Sequence, residues 1–192
     1  MKKIQSKKLD IGCGKYKQDG AIGIDHSDLP EIDIKHDLNI FPWPLKESSF
    51  SEIHCYHVLE HVQDVVRFMQ EIYRVSEDGA KVYIKVPHAS CSKSLWTDPT
   101  HYRGFTTRSF LDYFSKESYF SYYANTNFIV ESQKLNYCLY DGKRDTKIPR
   151  WWQNIWNKLG NINFTTQEIF ERILANYIGG FEELDVILTV KK

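Results

Sequence analysis

Short apolar runs alternate with amphipathic stretches along the first ninety residues of the chain. The apolar runs predict five strands, at residues 8–11, 21–25, 33–37, 50–56 and 80–86. Between the last two strands, apolar residues recur with a period close to 3.6 over residues 62–75, which predicts a helix. The Glu-Asp-Gly sequence at 77–79 is expected to end that helix and turn the chain. The alternation predicts an α/β fold, an open Rossmann-like and mostly parallel sheet with helices on its faces.

The pattern is less regular after residue 88. Residues 106–114 resemble a helix that begins with a Thr or Ser cap, and residues 128–140 contain a predicted strand. Residues 143–177 are helical in character, and residues 183–191 alternate as a final strand. We therefore expect a single domain over residues 1–192, with a helical insertion at about 141–180 before the last strand.

Composition narrows the classes of function. Lys and Arg total 25, as do Asp and Glu, so no strong nucleic-acid signal is present. The four cysteines are irregularly spaced without a Cys-x-x-Cys pair, which favours reduced thiols in a cytoplasmic protein over a disulfide framework or zinc knuckle. No apolar run approaches the ~20 residues that span a bilayer, so no transmembrane segment is expected.

The LDIGCG segment, residues 9–14, carries the clearest chemical signal. Gly12 and Gly14 bracket Cys13 directly after the first predicted strand, and Asp25 ends the second strand. Glycines let the backbone approach a ligand closely, and an acid at this position can accept both hydroxyls of a ribose. Because ligands of such sheets bind beyond the carboxyl ends of the strands, the sequence predicts a nucleoside-binding edge there.

Five segments, in this order, resemble a class I S-adenosylmethionine-dependent methyltransferase of the methyltransferase type 11 kind. They are LDIGCG (9–14), GIDHSD (23–28), HDLN (36–39), EIHCYHVLEHV (52–62) and EIYRVSEDGAKVYIKVPH (71–88). The resemblance covers about the first ninety residues, and the terminal strand fits the seven-stranded plan of the family. It implies S-adenosylmethionine as the cofactor and methyl transfer as the activity.

The resemblance also implies a cofactor site at four strand ends. Its expected members are Asp10, Gly12, Cys13, Gly14, Asp25, His26, Asp37, Leu38, His57 and Val58. The first strand's turn would lie under the methionine part of the cofactor, Asp25 would take the ribose hydroxyls, and Asp37 with Leu38 would flank the adenine. His57 and Val58 would line the floor where methyl donor and acceptor meet.

One departure from the family concerns the segment between the first two strands. The family has a full helix there, whereas only residues 15–20 are available in this chain, so the edge of the cofactor pocket is abbreviated. A dinucleotide fingerprint would need a further glycine three residues after Gly14, and that position is Lys17, so NAD binding is disfavoured.

Methyl transfer requires mainly the alignment of an acceptor with the sulfonium, assisted by a base where the acceptor carries a proton. The expected acceptor is a small molecule or a carbohydrate-like compound. The candidate bases by location are His57, His61, His88 and His101, of which His101, in the long connection after the fifth strand, is preferred and His61 comes second.

Two other functions remain open. The residues from His57 to His61 spell H-x-x-E-H, so a zinc hydrolase built on these two histidines is one alternative, although methyl transfer requires no metal. The other is a non-catalytic protein that binds S-adenosylmethionine or a partner.

The tryptophan-rich 151–156 segment either packs on the sheet as a lid or forms an interfacial surface, which would be a peripheral membrane contact, a dimer face or a hydrophobic acceptor pocket. The basic side chains of Lys143, Arg144, Lys147 and Arg150 precede it.

Overall fold

The computed structural model describes residues 7–116, 118–137 and 148–192. Within these residues seven strands form one sheet: β1 (Lys8–Ile11), β2 (Ile22–Asp25), β3 (Ile34–Lys35), β4 (Phe50–Tyr56), β5 (Ser76–Pro87), β6 (Phe128–Asn136) and β7 (Glu183–Val190). Their spatial order is β3-β2-β1-β4-β5-β7-β6. Strands β1 to β5 pair in parallel, and β7 runs antiparallel to both of its neighbours. The predicted Rossmann-like, mostly parallel sheet is confirmed.

The start of β5 differs from the sequence prediction. Residues 77–79 lie inside β5 and do not turn the chain, because the helix before them already ends at Val75. The Ser76 backbone N–H and hydroxyl both donate to the Ile72 carbonyl, the hydroxyl at 2.6 Å. The pairing with β4 jumps from Phe50–Ser76 to Glu52–Lys81, so the turn-forming residues make an irregularity within the strand.

The helix between β4 and β5 also begins later than predicted. Helix α1 spans Val65–Val75 because the Asp64 side chain caps it by accepting a hydrogen bond of 3.0 Å from the Arg67 N–H. The preceding residues Leu59–His61 form a separate 3₁₀ turn. The inward face of α1 buries Phe68, Met69, Ile72 and Val75 against the sheet core, which is the 3.6-residue periodicity seen in the sequence.

The remaining helices follow β5. They are α2 (Ser92–Trp96), α3 (Arg108–Phe114), α4 (Ser121–Ala124), α5 (Arg150–Gly160), α6 (Phe164–Ile169), a π-helical segment (Phe170–Leu174) and α7 (Ala175–Ile178). The helical insertion is therefore present over its described part, and residues 138–147, with Lys143, Arg144 and Lys147, lie outside the described residues. Residues 12–21 form turns in place of the helix that the family usually has there.

The apolar stripe of α5 is divided between core and surface. Trp152 and Trp156 pack partly against the core, and the Trp156 ring makes an edge contact with Phe170. Trp151 and Ile155 are 62% and 41% exposed, so the insertion does not bury the whole stripe. Among the described residues, no helix has an apolar stretch long enough to cross a membrane.

The end of the insertion is fixed where it meets the loop after β5. Gly180 has φ +82°, and its N–H donates to the Ala175 carbonyl at 2.8 Å. A Cβ atom on Gly180 would lie 2.2 Å from the Ser90 carbonyl oxygen, whereas one on the neighbouring Gly179, φ +92°, would have open space. At both positions a side chain would strain the backbone, but Gly180 alone of the two lies close to another backbone segment.

We expect Gly180→Ala to destabilise the fold more than Gly179→Ala. Both substitutions place a side chain at positive φ, at a cost of about 1 kcal/mol. The first adds the overlap with the Ser90 backbone, at a further cost of about 1–3 kcal/mol. Urea denaturation of the two variants measures the difference in the free energy of unfolding, and equal losses would contradict the close contact.

Candidate functional site

The turn after β1 brings the backbone close to the end of β4. Gly12 has φ +65°, and its N–H donates to the Ile24 carbonyl at 2.8 Å. A Cβ atom at this position would lie 2.3 Å from Cγ2 of Val58. Glycine is thus required both by the backbone conformation and by the space left beside Val58.

Asp25 connects this turn to the end of β2. One carboxylate oxygen accepts from the Gly14 N–H at 3.0 Å, and the other accepts from the N–H and the hydroxyl of Ser27, both at 2.8 Å. Burial opposes ionisation of Asp25, but these hydrogen bonds outweigh it and lower the pKa, so the side chain is a carboxylate at neutral pH.

The three bonds use most of the accepting capacity of Asp25. A carboxylate offers about four lone-pair sites, so about one stays open. Both hydroxyls of a ribose can be accepted only if the Ser27 hydroxyl turns away. Asp25 can therefore serve the expected ribose contact, and Ser27 competes for it.

Asp10 closes the shortened turn from the other side. Its buried carboxylate accepts from the Gln18 N–H at 2.7 Å, and burial raises its pKa despite that bond. Cys13 is also buried, and burial together with Asp10 and Asp25 raises the pKa of its thiol to about 11. The neutral thiol is a small packed group in a tight loop, not a nucleophile.

The expected adenine contacts lie beside this turn. One Asp37 oxygen accepts from the Asn39 N–H at 2.9 Å, and the second oxygen accepts no hydrogen bond from the described residues. That second oxygen can accept from an exocyclic amine. Leu38 is buried next to it, whereas the His26 side chain is 80% exposed, with its Nδ1 3.4 Å from an Asp25 oxygen.

His57 lies where β4 ends, in a strained backbone conformation with φ +56°. Its Nε2 is 2.9 Å from Oε2 of Glu183, and its Nδ1 is 3.4 Å from Oε1 of Glu60. The hydrogen bond to Glu183, followed by the contact with Glu60, raises the pKa of His57 to about 9. His57 is therefore an imidazolium at neutral pH and cannot act as a base there.

A cavity of about 720 Å³ opens beside His57. We call it the β4–β5 cavity, and it is lined by His57, Glu60, His61, Pro87, Lys93, Ser94, Thr97, Asp98, Pro99, His101 and Glu182. The structure thus brings the two preferred base candidates together beside His57, and the His61 and His101 ring centroids are 4.7 Å apart.

His88, the third candidate, is buried with both ring nitrogens engaged. Nε2 lies 2.6 Å from Oε1 of Glu171 in the π-helical segment, and Nδ1 lies 2.7 Å from the Ser90 hydroxyl. Thr107 also donates to Glu171, from its N–H and from its hydroxyl. This network attaches the insertion to the end of β5, so the geometry favours a structural role for His88, and its proton-transfer role stays a prediction.

His57 and His61 both line the β4–β5 cavity, but among the described residues they do not form the metal-ligand pair that the H-x-x-E-H pattern suggested. Both nitrogens of His57 face glutamates, and His61 lies with His101. Neither Glu60, which the sequence offered only as the Glu of the H-x-x-E-H pattern, nor Glu183 was predicted as a site residue. Glu60 is fully buried in the 3₁₀ turn, and an acid between the apolar Leu59 and Val62 was the available signal.

Comparison with known proteins identifies a family model and a relative that this chain resembles. A family model described as a methyltransferase domain matches residues 5–133. A Mycolicibacterium smegmatis protein named "Probable S-adenosylmethionine-dependent methyltransferase" is 28% identical over 97 residues, which cover 42% of this chain and 37% of that relative. The chain therefore matches little more than a third of that relative's length.

Solved structures share the fold. An S-adenosylmethionine-dependent methyltransferase from Archaeoglobus fulgidus superposes with a TM-score of 0.58 at 16% identity, covering 95% of this chain and 85% of the other. The [4+2]-cyclase SpnF superposes with a TM-score of 0.55 at 15% identity, covering 96% and 74%. The fold is thus shared with a protein named for different chemistry.

We expect Asp25→Asn to weaken binding of S-adenosylhomocysteine at least about tenfold, because a charge-assisted hydrogen bond contributes about 1.5–3 kcal/mol. The matched control is Ser27→Ala, which keeps the carboxylate and frees one of its lone pairs. That control should bind as tightly as the unchanged protein, or more tightly. Calorimetry measures both, and equal losses in the two variants would exclude a direct ribose contact by Asp25.

Proposed function

Because the chain belongs to the methyltransferase domain family, whose cofactor is S-adenosylmethionine, we propose that it transfers a methyl group to a small, polar or carbohydrate-like acceptor. The acceptor would bind in the β4–β5 cavity. The observation that carries this proposal is that His57, expected at the cofactor, also lines that cavity. Methyl donor and acceptor would meet at the end of β4.

The cavity wall combines polar groups with a larger apolar surface. Of its eleven lining residues, Pro87 and Pro99 are the two without a polar side chain. A sugar or polyol suits such a wall, because it presents hydroxyls to the polar groups and C–H surface to the apolar part. The cofactor carries an already activated methyl group, so the protein has mainly to align the acceptor oxygen or nitrogen with it.

His101 is the proposed base, with His61 second. The Nδ1 of His101 lies 2.7 Å from the Leu95 carbonyl oxygen, which can only accept, so Nδ1 carries the proton and donates. Neutral His101 therefore holds a lone pair on Nε2, which can take the proton of an acceptor hydroxyl.

A binding module that does not turn over is the second candidate. The exposed side chains of Trp151, Ile155 and Leu159 favour it, because exposed apolar groups on one helix are typical of a partner surface. A dimer face or a peripheral membrane contact there stays a proposal. The cytoplasmic location also stays a proposal, supported by the free, buried Cys13, Cys55 and Cys91.

An acceptor screen separates the two functions. The protein is incubated with S-adenosylmethionine and a panel of sugars, polyols, phenols and amines, and release of S-adenosylhomocysteine is measured. Methyl transfer to a sugar or polyol is expected. Tight cofactor binding without turnover on any member of the panel would favour the binding module.

On the acceptor found, His101→Asn should lower kcat about 10²–10⁴-fold, the range that a positioned base contributes. The affinity for S-adenosylhomocysteine should stay within about twofold, because His101 is outside the expected cofactor site. His36→Asn is the matched control, since its ring binds the Ile40 carbonyl away from the cavity. An unchanged kcat in His101→Asn, or an equal loss in the control, would contradict the base role.

A further inference from the structure

Three side chains in the β4–β5 cavity lie close enough to share one ion. Glu60, His61 and His101 each offer a ligand atom, and these atoms lie within 4.8 Å of one another. They come from two distant parts of the chain, the 3₁₀ turn after β4 and the connection after α2. The pairing differs from the one that the H-x-x-E-H pattern suggested, because His101 replaces His57.

Glu60 is the strongest reason to expect a ligand here. Its side chain is fully buried, and neither carboxylate oxygen has a hydrogen-bond partner. Its charge contact is His57 Nδ1 at 3.4 Å, without hydrogen-bond geometry. Since buried polar groups are almost always satisfied, a buried carboxylate at a cavity wall with no hydrogen bond and a single charge contact at 3.4 Å can take a further donor or cation.

Hydrogen bonding fixes the orientation and tautomer of His61. The Thr100 hydroxyl donates to Oδ1 of Asp98 at 2.6 Å, because a carboxylate only accepts. With its proton committed, Thr100 accepts from His61 Nδ1 at 2.9 Å. Neutral His61 therefore keeps its lone pair on Nε2, in the carboxylate-supported arrangement that is common around metal-binding histidines.

His101 is held in the same tautomer by a different partner, the Leu95 carbonyl. In these tautomers each imidazole has its free lone pair on Nε2, so the ligand set to be tested is these two nitrogens with one Glu60 oxygen. Two histidines and one carboxylate suit Zn²⁺ or Fe²⁺ and leave coordination positions open to a bound molecule.

We propose that Glu60, His61 and His101 bind one divalent first-row transition-metal ion, with an open coordination position facing the β4–β5 cavity. This proposal differs from the sequence-based expectation that the protein needs no metal. His57 stays paired when Glu60 turns to the ion, because its Nε2 is held by Glu183 at 2.9 Å. An ion there occupies the Nε2 lone pair of His101, so the base role proposed above applies to the metal-free protein.

The test is calorimetric titration of the chelator-treated, dialysed protein with Zn²⁺. One tight site per chain is expected. His61→Asn and His101→Asn should each weaken it by about 100-fold or more. His36→Asn, which removes a histidine outside the cavity, should bind within twofold of the unchanged protein. The absence of a tight site, or an equal loss in the His36 control, would overturn the proposal.

A second pair of variants tests the supporting hydrogen bond. Thr100→Val removes the acceptor for His61 Nδ1 and should weaken Zn²⁺ about 10–100-fold, the usual effect of losing such support. Thr100→Ser should restore binding. If Thr100→Val binds Zn²⁺ as well as the unchanged protein, the assigned tautomer is wrong and the site as proposed is overturned.

Affinity for S-adenosylhomocysteine is measured on every variant. It reports folding and the cofactor site independently of the metal, and it should stay unchanged throughout. Loss of Zn²⁺ with retained cofactor binding supports the metal site, and failure of the metal site alone leaves the proposed methyl transfer standing. Loss of both ligands together in the histidine variants would contradict a local metal site.

Discussion

The bonds that Asp25 accepts from Gly14 and Ser27 are the interaction on which the cofactor side of this protein depends. Parallel strands end with backbone groups that the sheet no longer pairs, and in this chain the helix that would follow β1 is missing. In place of the helix, carboxylate side chains accept hydrogen bonds from the backbone groups of this region. Asp10 holds Gln18, Asp25 holds the glycine turn, and Asp33 accepts from the Gly23 N–H and from Lys17, both at 2.8 Å.

This arrangement couples fold and ligand binding. The same Asp25 carboxylate that shapes the turn is the one expected to accept the ribose, and its hydrogen bonds to Gly14 and Ser27 leave about one of its lone pairs free. The Gly12 backbone lies against Val58 without room for a Cβ atom. The turn after β1 is therefore in direct contact with the residue that lies beyond the end of β4, at the expected floor of the cofactor site.

Much of the sheet could be predicted because strand signals are local. The bounds of β1 and β4 match the sequence prediction, and the residues at their carboxyl ends follow from parallel pairing. Local signals failed at the α1–β5 junction, where Glu-Asp-Gly forms an irregularity within a paired strand. The conformation of these three residues is set by pairing with the neighbouring strand and not by their turn propensity. Local signals also failed at the start of α1, which begins after the Asp64 cap and therefore later than the sequence predicted.

The acceptor side was harder to predict, because it depends on contacts between residues far apart in sequence. His61 and His101 were identified separately, but their proximity follows from the path of the connection after β5. Glu60 was missed because the sequence does not show that its carboxylate is buried without a hydrogen bond. Glu183, on the last strand, reaches His57 because β7 inserts next to β5.

A crystal structure of the protein with S-adenosylhomocysteine tests whether methyl donor and acceptor can meet at His57. We expect ribose hydroxyls on Asp25, the adenine amine on Asp37, and the thioether sulfur opening toward the β4–β5 cavity. A ligand bound elsewhere, or a sulfur separated from that cavity by protein, would contradict the proposed meeting of methyl donor and acceptor at His57.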